Sequence, residues 1–192
     1  QGATSPYLAH RGLEALGNGL SANEALEWLL KGDDQRHARQ IQLVDAEGRS
    51  SAWTGGECNG FAGHLCGENF SVAGNWLEDP AVLQAMAETF RDSDPSWKIG
   101  RRVLSALAAG EAAGGDRRSP MASSAAVQVS GELDFPLLDL RVDFNATAVG
   151  ELQHLYEHSQ QNWVQHWRDQ FAALPDGRPR PADEGGLNAG VA

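Results

Sequence analysis

Apolar residues recur at steps of three and four positions near the start of the chain, which is the spacing of one face of a helix. Those positions are Leu8, Leu13, Leu16 and Leu20. They predict a first helix that ends at Gly17-Asn18-Gly19. A second helix is predicted to begin at Ser21, because Glu24 follows three residues later and completes a capping box, and to end at Gly32.

Alternating residues after these helices predict a β-hairpin. Its first strand is Ile41 to Asp45, its turn is Ala46-Glu47-Gly48, and its second strand is Ser50 to Thr54. The segment after Thr54 is rich in glycine, and we predict a loop there. Phe70 to Gly74 is predicted to be a third, short strand.

The second half of the chain mixes helical and extended patterns. Helices are predicted from Pro80 and over Trp97 to Ala109, which Gly110 closes, strands over Ala122 to Val129 and Leu137 to Val142, and a helical pattern again from Thr147 onward. Asp176 to Ala192 is rich in proline and glycine and is predicted to be a loosely ordered tail. Strands grouped among paired helices predict an α+β domain whose antiparallel sheets are covered by helices on their outer faces.

The composition narrows the class of partner. The chain has 192 residues, of which 41% are hydrophobic, which is enough for one main domain with a sizeable core. Its formal net charge of −11 repels phosphate backbones and anionic lipid headgroups, so we expect neither nucleic acid nor membrane partners. The few cysteines and the lack of a spanning-length apolar run predict a soluble, cytoplasmic protein.

The segment from Thr54 to Asn75 holds the chemistry of the chain. It contains six glycines, together with Cys58, His64 and Cys66. Glycines allow sharp turns and a close approach of the backbone to a ligand, and a plain connecting loop does not need so many. We therefore predict that this segment lines a pocket.

Several segments of the sequence resemble a known family. These are Ser5-Pro6-Tyr7 with Arg11 to Leu16, the turn Val44 to Arg49, the block Thr54 to Asn75, the run Gly114-Gly115-Asp116-Arg117-Arg118, and the strand Leu138 to Asp143. Together they resemble domain-of-unknown-function family 1028. The resemblance extends from about Gln1 to Tyr156 and is most specific in the Thr54 to Asn75 block.

The resemblance implies a fold and an activity. The family is placed among proteins similar to N-terminal-nucleophile (Ntn) hydrolases, whose αββα sandwich carries the attacking Thr, Ser or Cys at the start of the first strand. The free α-amine of that residue activates its hydroxyl or thiol. Gln1 is no nucleophile, and the family's N-terminal strands are expected to be missing from this sequence. The domain is expected to span residues 1–160, followed by a C-terminal helix extension and the tail over 161–192.

Three residues are candidates for catalysis. His64 could act as a general base or orient a substrate, and its alternative role is to bond local backbone. Asn75 could donate its side-chain amide to a developing oxyanion, or it could be a turn residue that tolerates positive φ. Asp116 could help to bind a charged substrate, or it could pair with an arginine and hold its own loop.

Five further residues are candidates for substrate binding. They are Thr54, Cys58, Gly74, Gly115 and Arg117. Thr54 and Cys58 offer a hydroxyl and a thiol, but neither has a base beside it in the sequence, so an internal nucleophile is not expected. The glycine amides and guanidinium groups of the loop around Gly115 and Arg117 form a reasonable clamp for an anionic or zwitterionic substrate.

A zinc site is a third interpretation. His154, Glu157 and His158 match the H-x-x-E-H pattern of inverted zincins, which would place both imidazoles on one helical face. The neighbouring apolar stripe explains the same segment as core, and a third ligand would have to come from Asp169 or beyond, on the same helix or in the tail. The spacing of Cys58, His64 and Cys66 matches no usual zinc knuckle. We therefore expect no metal and no cofactor.

The first functional hypothesis is a hydrolase of the Ntn type that cleaves a small amide or peptide-like bond. The alternative is a non-catalytic module on the same fold that binds a small molecule, and the zinc metallopeptidase is the third. Trp163 and Trp167 share a helical face with Phe171, which is explained equally well as core or as the interface of a homodimer.

Overall fold

The first elements of the chain are two helices. The computed structural model describes residues 3, 5–116, 118, 123–133 and 135–172. Helix α1 is Pro6–Gly17 and helix α2 is Ala22–Lys31. The capping box predicted for α2 is confirmed, because the Ser21 hydroxyl accepts the Glu24 N–H and the Glu24 carboxylate accepts the Ser21 N–H at 2.8 Å. The predicted pair of helices is therefore present, and side-chain hydrogen bonds fix the residue at which α2 begins.

The predicted first hairpin is also present. Strand β1 (Gln40–Val44) pairs antiparallel with strand β2 (Ser50–Thr54), and a short 3₁₀ turn, Arg36–Ala38, precedes it. The register places Gln40 opposite Thr54. Facing residues of an antiparallel pair lie on the same side of the sheet, so the side chains of Gln40 and Thr54 share one face.

The glycine-rich segment is a loop only as far as Gly60 and then forms a second hairpin, so the predicted loop is wrong from Phe61 onward, whereas the predicted strand from Phe70 is present. Strand β3 (Phe61–Gly67) pairs antiparallel with strand β4 (Phe70–Leu77). The face with Phe61 and Gly63 lies toward a helix, because a Cβ at Gly63 would lie 3.3 Å from Leu83. Glycines stand where large apolar residues would have made the alternation of apolar and polar positions visible in the sequence. His64 lies on the opposite face of the strand.

The two hairpins stack between helices. Helix α2 contacts both β1 and β2, strand β1 lies against β4, and β2 lies against β3. Helix α3 (Pro80–Asp92) contacts β3 and β4, and helix α4 (Ile99–Ala112) packs on α3. The order of layers is therefore helices, hairpin, hairpin, helices.

Gly110 lies inside α4, whereas the sequence predicted that it ends the helix. A Cβ at this position would lie 2.6 Å from the Cγ atom of Met86 on α3. The glycine therefore permits a close approach of two helices. The helix ends at Ala112, two residues later.

A third hairpin forms the main apolar core. Strand β5 (Ser123–Val129) pairs with strand β6 (Leu138–Asn145), and helix α5 (Ala148–Ser159) follows. The buried residues of this core are Leu104, Ala125, Val127, Leu138, Ala148, Val149, Leu152 and Tyr156. The described strands thus form three two-stranded antiparallel sheets, which confirms the α+β class. None of the helices in the described ranges has the length and apolar character that a membrane crossing needs.

The chain divides into two units, Gln1–Tyr156 and Glu157–Ala192. In the second unit, helix α6 is Asn162–Ala172, where the side chains of Trp163 and Trp167 are 69% and 55% exposed. The predicted tail over Asp176 to Ala192 lies outside the described residues, and so does the side chain of Phe171.

Asp45 ties the first hairpin to helix α2. Its carboxylate, whose side chain is 3% exposed, accepts the N–H of Ala22 at 3.0 Å and the guanidinium Nε–H of Arg49 at 2.7 Å. Burial alone would raise the pKa of Asp45, but the N–H groups of Ala22 and Arg49 and the Arg49 guanidinium outweigh it and lower that pKa. The ionised carboxylate is thus the form that the fold favours.

The lowered pKa of Asp45 predicts a loss of stability in acid. Because the folded-state pKa is below the unfolded value, the contribution of this carboxylate is complete above the unfolded pKa of about 3.9 and is lost as the pH falls through the folded pKa. We expect Asp45→Asn to lower the free energy of unfolding at neutral pH, and the difference from the unmodified protein to shrink in strong acid. Urea titrations at both pH values measure this. Asp34→Asn, at an exposed position, should show no such dependence.

Candidate functional site

Four polar side chains meet between the two stacked hairpins. They are Gln40 on β1, Thr54 on β2, His64 on β3 and Asn75 on β4, and we call them the Gln40 cluster. Each comes from a different strand, so the cluster exists only when both hairpins are in place. The stacking of β1 on β4 and of β2 on β3 is what brings them together.

Gln40 is the centre of the cluster. It is buried, and its Nε2 group lies within donating distance of Thr54 Oγ1 at 3.1 Å, of the Gly63 carbonyl at 3.0 Å and of the Gly74 carbonyl at 2.8 Å. Its Oε1 atom accepts the Asn75 Nδ2–H at 3.1 Å. One side chain therefore links both hairpins, and the burial of its amide is compensated by hydrogen bonds.

Thr54 and His64 form a hydroxyl–imidazole pair. The Oγ1 atom of Thr54 lies 2.8 Å from Nδ1 of His64. With the ring proton on Nε2, Nδ1 accepts the Thr54 hydroxyl proton while the same oxygen accepts from Gln40. His64 Nε2 has no hydrogen-bond partner in the part of the chain that the structure describes, so it is available to a ligand.

A β-bulge sets the position of Asn75. The register between β3 and β4 shifts between Phe61 and Gly63, so that Asn75 and Trp76 lie opposite one residue of β3. Trp76 has a φ of 58°, and its N–H donates to the Asn59 carbonyl at 2.8 Å. The bulge turns the end of β4, and the Asn75 amide reaches Gln40 there.

Gly60 is required next to this bulge. Its φ is +66°, and a Cβ at this position would lie 2.8 Å from the Cα atom of Trp76. Any side chain at residue 60 would therefore collide with backbone as well as adopt a strained φ. At this position the glycine-rich composition follows from the bulge and the close approach of two backbone segments.

A cavity of about 190 Å³ borders the cluster at Gln40 and Ala73, and its other walls are α1 and β1. Ala73 is the cross-strand partner of His64. Arg39 also lines this cavity, but its guanidinium is bound to Asp33, to Gln35 and to the carbonyl of Ala3. Gln40 is thus the cluster residue that lines the cavity, which has room for a small group.

Asp116 lies at the end of β4, away from the hydrogen bonds of the cluster. It forms an isolated bridge with Leu77, and its carboxylate is paired with the Arg118 guanidinium. Burial would raise the pKa of Asp116, but the hydrogen bonds from Arg118 outweigh it and lower that pKa. The pairing within its own loop, one of the two roles considered from the sequence, is therefore present.

The other candidates from the sequence are distributed around the cluster. The Gly74 carbonyl belongs to it as an acceptor for Gln40, and the half-buried Cys58 lies beside it with its thiol directed at the Arg39 carbonyl at 3.5 Å. The N–H of Gly115 is used to end helix α4 on the Gly110 carbonyl at 3.0 Å. Arg117 lies outside the described residues.

Gln40 is the residue that sequence reasoning missed. It belongs to no motif, and the strand was predicted to begin one residue later. If the predicted hairpin had been extended by one residue pair, Gln40 would have lain opposite Thr54, and the sequence could then have indicated that Gln40 is near the site. Nothing in the sequence indicates that Thr54 meets His64, because that contact depends on the stacking of two separate hairpins.

No group of three or more His, Cys, Asp or Glu side chains within the described ranges could hold a metal ion. The zinc interpretation based on His154, Glu157 and His158 therefore receives no support from this part of the chain. Both cysteines are free thiols. The chemistry that the structure offers at the Gln40 cluster is that of a hydroxyl, an imidazole and two amides.

These features define the class of protein. It is an α+β protein in which two hairpins stack between helices and enclose a polar cluster. Residues 1–152 match the model of the family described as a family of unknown function, DUF1028, and the chain belongs to that family, as its sequence predicted.

A solved structure is similar to this chain over most of its length. It is the crystal structure of protein SPO2555 from Silicibacter pomeroyi, assigned to the same family, with a TM-score of 0.75 and 29% sequence identity. The similarity covers 88% of this chain and 71% of that one. No curated protein matches the chain.

Proposed function

We propose that this chain forms the pocket of a hydrolase of the Ntn type, which cleaves a small amide or peptide-like bond on an αββα sandwich. The observation that carries the proposal is the 2.8 Å contact between Thr54 Oγ1 and His64 Nδ1, held between two stacked hairpins by the buried Gln40. A hydroxyl in contact with an oriented imidazole can pass a proton to a leaving group, which an acyl-transfer reaction needs. The order of the layers, helices on both outer sides of two hairpins, also agrees with such a sandwich.

Each residue of the cluster has a role in this reaction. In an Ntn hydrolase the hydroxyl or thiol of the first residue attacks the substrate carbonyl, and its own α-amine takes the proton. Asn75 uses one N–H on Gln40, so its second N–H is available to stabilise the oxyanion. The α-ammonium group returns that proton through the Thr54 hydroxyl to Nδ1 of His64, while the Nε2 proton of His64 passes to the departing amine as the C–N bond breaks. Water then hydrolyses the acyl-enzyme ester or thioester and releases the acid.

The attacking residue is a separate part of the proposal. The proposal requires an N-terminal Thr, Ser or Cys that is not among the 192 residues, next to the Gln40 cluster. Thr54 is the described hydroxyl that a base already contacts. The two candidates differ in one measurable property, which is the residue that becomes acylated.

A covalent trap identifies the nucleophile. The protein expressed from its complete gene is treated with a β-lactone probe, which acylates activated hydroxyls and thiols, and the modified peptide is located by mass spectrometry. We expect one adduct, on an N-terminal Thr, Ser or Cys. The N-terminal-nucleophile assignment fails if the adduct lies on Thr54, and the hydrolase assignment fails if no residue is modified while the protein is folded.

A second candidate function, a non-catalytic module that binds a small molecule, is favoured by one observation. The buried side-chain nitrogen and oxygen atoms of the described residues all have hydrogen-bond partners. The hydrogen bond between Gln40 and Asn75 forms without any ligand. A cluster of this kind can hold the hairpins together and shape a pocket without chemistry. Ligand binding with no turnover and no adduct would support this function.

A further inference from the structure

A second cleft, of about 550 Å³, lies at the opposite end of the second hairpin from the bulge. It is bordered by the turn between β3 and β4, the end of α3 and the start of α4. Its lining includes Glu68, Phe70, Phe90, Arg91, Ile99 and Arg102. A volume of this size is within the usual range of small-molecule sites, which is roughly 300–1,000 Å³.

Arg102 is fixed in this cleft without an acidic partner. Its Nε–H donates to the Ser93 hydroxyl at 2.8 Å, and its Nη2 donates to the Phe90 carbonyl at 3.2 Å. In the described residues no carboxylate forms an ion pair with it, although the chain has 26 acidic residues. A half-buried guanidinium that is held still and retains free N–H groups is well suited to bind an anion.

Apart from Glu68, Asn69 and Arg91, the remaining side chains of the cleft are apolar and aromatic. The Arg102 guanidinium lies 4.5 Å from the centre of the Phe90 ring, which in turn lies 5.2 Å from the Phe70 ring. Ile99 is 44% exposed at the rim. A guanidinium beside two rings and an exposed aliphatic side chain can bind a molecule that is charged at one end and apolar at the other.

We propose that this cleft binds a small carboxylate that carries an aromatic or branched apolar group. The carboxylate takes the free N–H groups of Arg102, and the apolar group lies against Phe70, Phe90 and Ile99. Exposed Arg91 adds a second positive charge at the rim, which attracts an anion in a chain whose net charge is −11. This site is separate from the Gln40 cluster and does not depend on hydrolase activity.

Titration calorimetry with phenylacetate tests the proposal on the whole protein. We expect saturable binding of phenylacetate, and no binding of phenethylamine, which has the same ring with a positive charge. Arg102→Gln should weaken phenylacetate binding by about tenfold or more, because it removes the charge-assisted hydrogen bonds. Arg141→Gln is the matched control, since it removes the same charge from an exposed pair with Asp143.

A second variant keeps the test valid if Arg102→Gln disturbs the fold. Ile99→Glu places a negative charge on an exposed wall of the cleft and leaves the Ser93 and Phe90 contacts of Arg102 intact. It should abolish phenylacetate binding without a change in the circular dichroism spectrum. The proposal is overturned if phenylacetate does not bind at millimolar concentration, if phenethylamine binds equally well, or if a folded Ile99→Glu variant binds like the unmodified protein.

Discussion

Replacement of His64 by alanine lowers kcat for amide hydrolysis by a factor of about 10²–10⁴ in our proposal, which is the usual contribution of a positioned acid–base group. The loss should appear in kcat more than in KM, because the imidazole acts on the departing amine in the transition state. Steady-state kinetics on a chromogenic anilide of a small acyl group measure both constants. Release of the anilide chromophore reports breakage of the C–N bond.

A histidine elsewhere in the same unit provides the control for this effect. His37 is exposed in the 3₁₀ turn before β1, and His37→Ala should leave kcat within about twofold. The His64→Ala protein loses one hydrogen bond, to Thr54, so its free energy of unfolding should fall by only about 0.5–1.5 kcal/mol. A folded His64→Ala protein with unchanged kcat would show that the imidazole only supports the hairpins.

Replacement of Leu152 by alanine should give a large loss of stability. Leu152 is 0% exposed in the core between the third hairpin, α4 and α5. Removal of its buried methyl and methylene groups leaves a cavity, and such changes cost about 2–5 kcal/mol. The free energy of unfolding from urea denaturation measures this cost, and amide hydrolysis by the remaining folded protein should not change.

Leu155 is the matched control on the same helix. Its side chain is 38% exposed, three residues from Leu152. Leu155→Ala makes the same chemical change with less buried surface, so its cost should be clearly smaller. Equal losses in the two variants would contradict the placement of the core along α5.

The parts of the fold that the sequence predicted are those set by local rules. The start of α2 follows from a capping box made by Ser21 and Glu24, and the first hairpin follows from alternation. Strand β3 was missed because its glycines provide no apolar side chain to alternate, although its glycine face packs toward Leu83. Gly110 was interpreted as a helix end because a stop and a close helix–helix contact require the same residue.

The candidate site could be predicted only in part for the same reason. His64, Thr54 and Asn75 were identified by residue type and family resemblance, and the structure places them in one cluster. Thr54 and His64 meet directly, and Gln40, a residue without a motif, joins Thr54 to Asn75. All of these contacts depend on the stacking of two hairpins that belong to separate sheets. Asp116 lies at the end of β4, the strand that carries Asn75, but its carboxylate pairs with Arg118. Residue types alone could not decide between this pairing and substrate binding.

A crystal structure of the protein from its complete gene, with an uncleaved acyl amide bound, would show whether the Gln40 cluster faces the amide that is cleaved. Our account predicts the ligand carbonyl oxygen within hydrogen-bond distance of Asn75 Nδ2 and the amide nitrogen beside His64 Nε2. The account would be contradicted if the ligand bound elsewhere, touched neither Asn75 Nδ2 nor His64 Nε2, and left the hydrogen bonds of the Gln40 cluster unchanged.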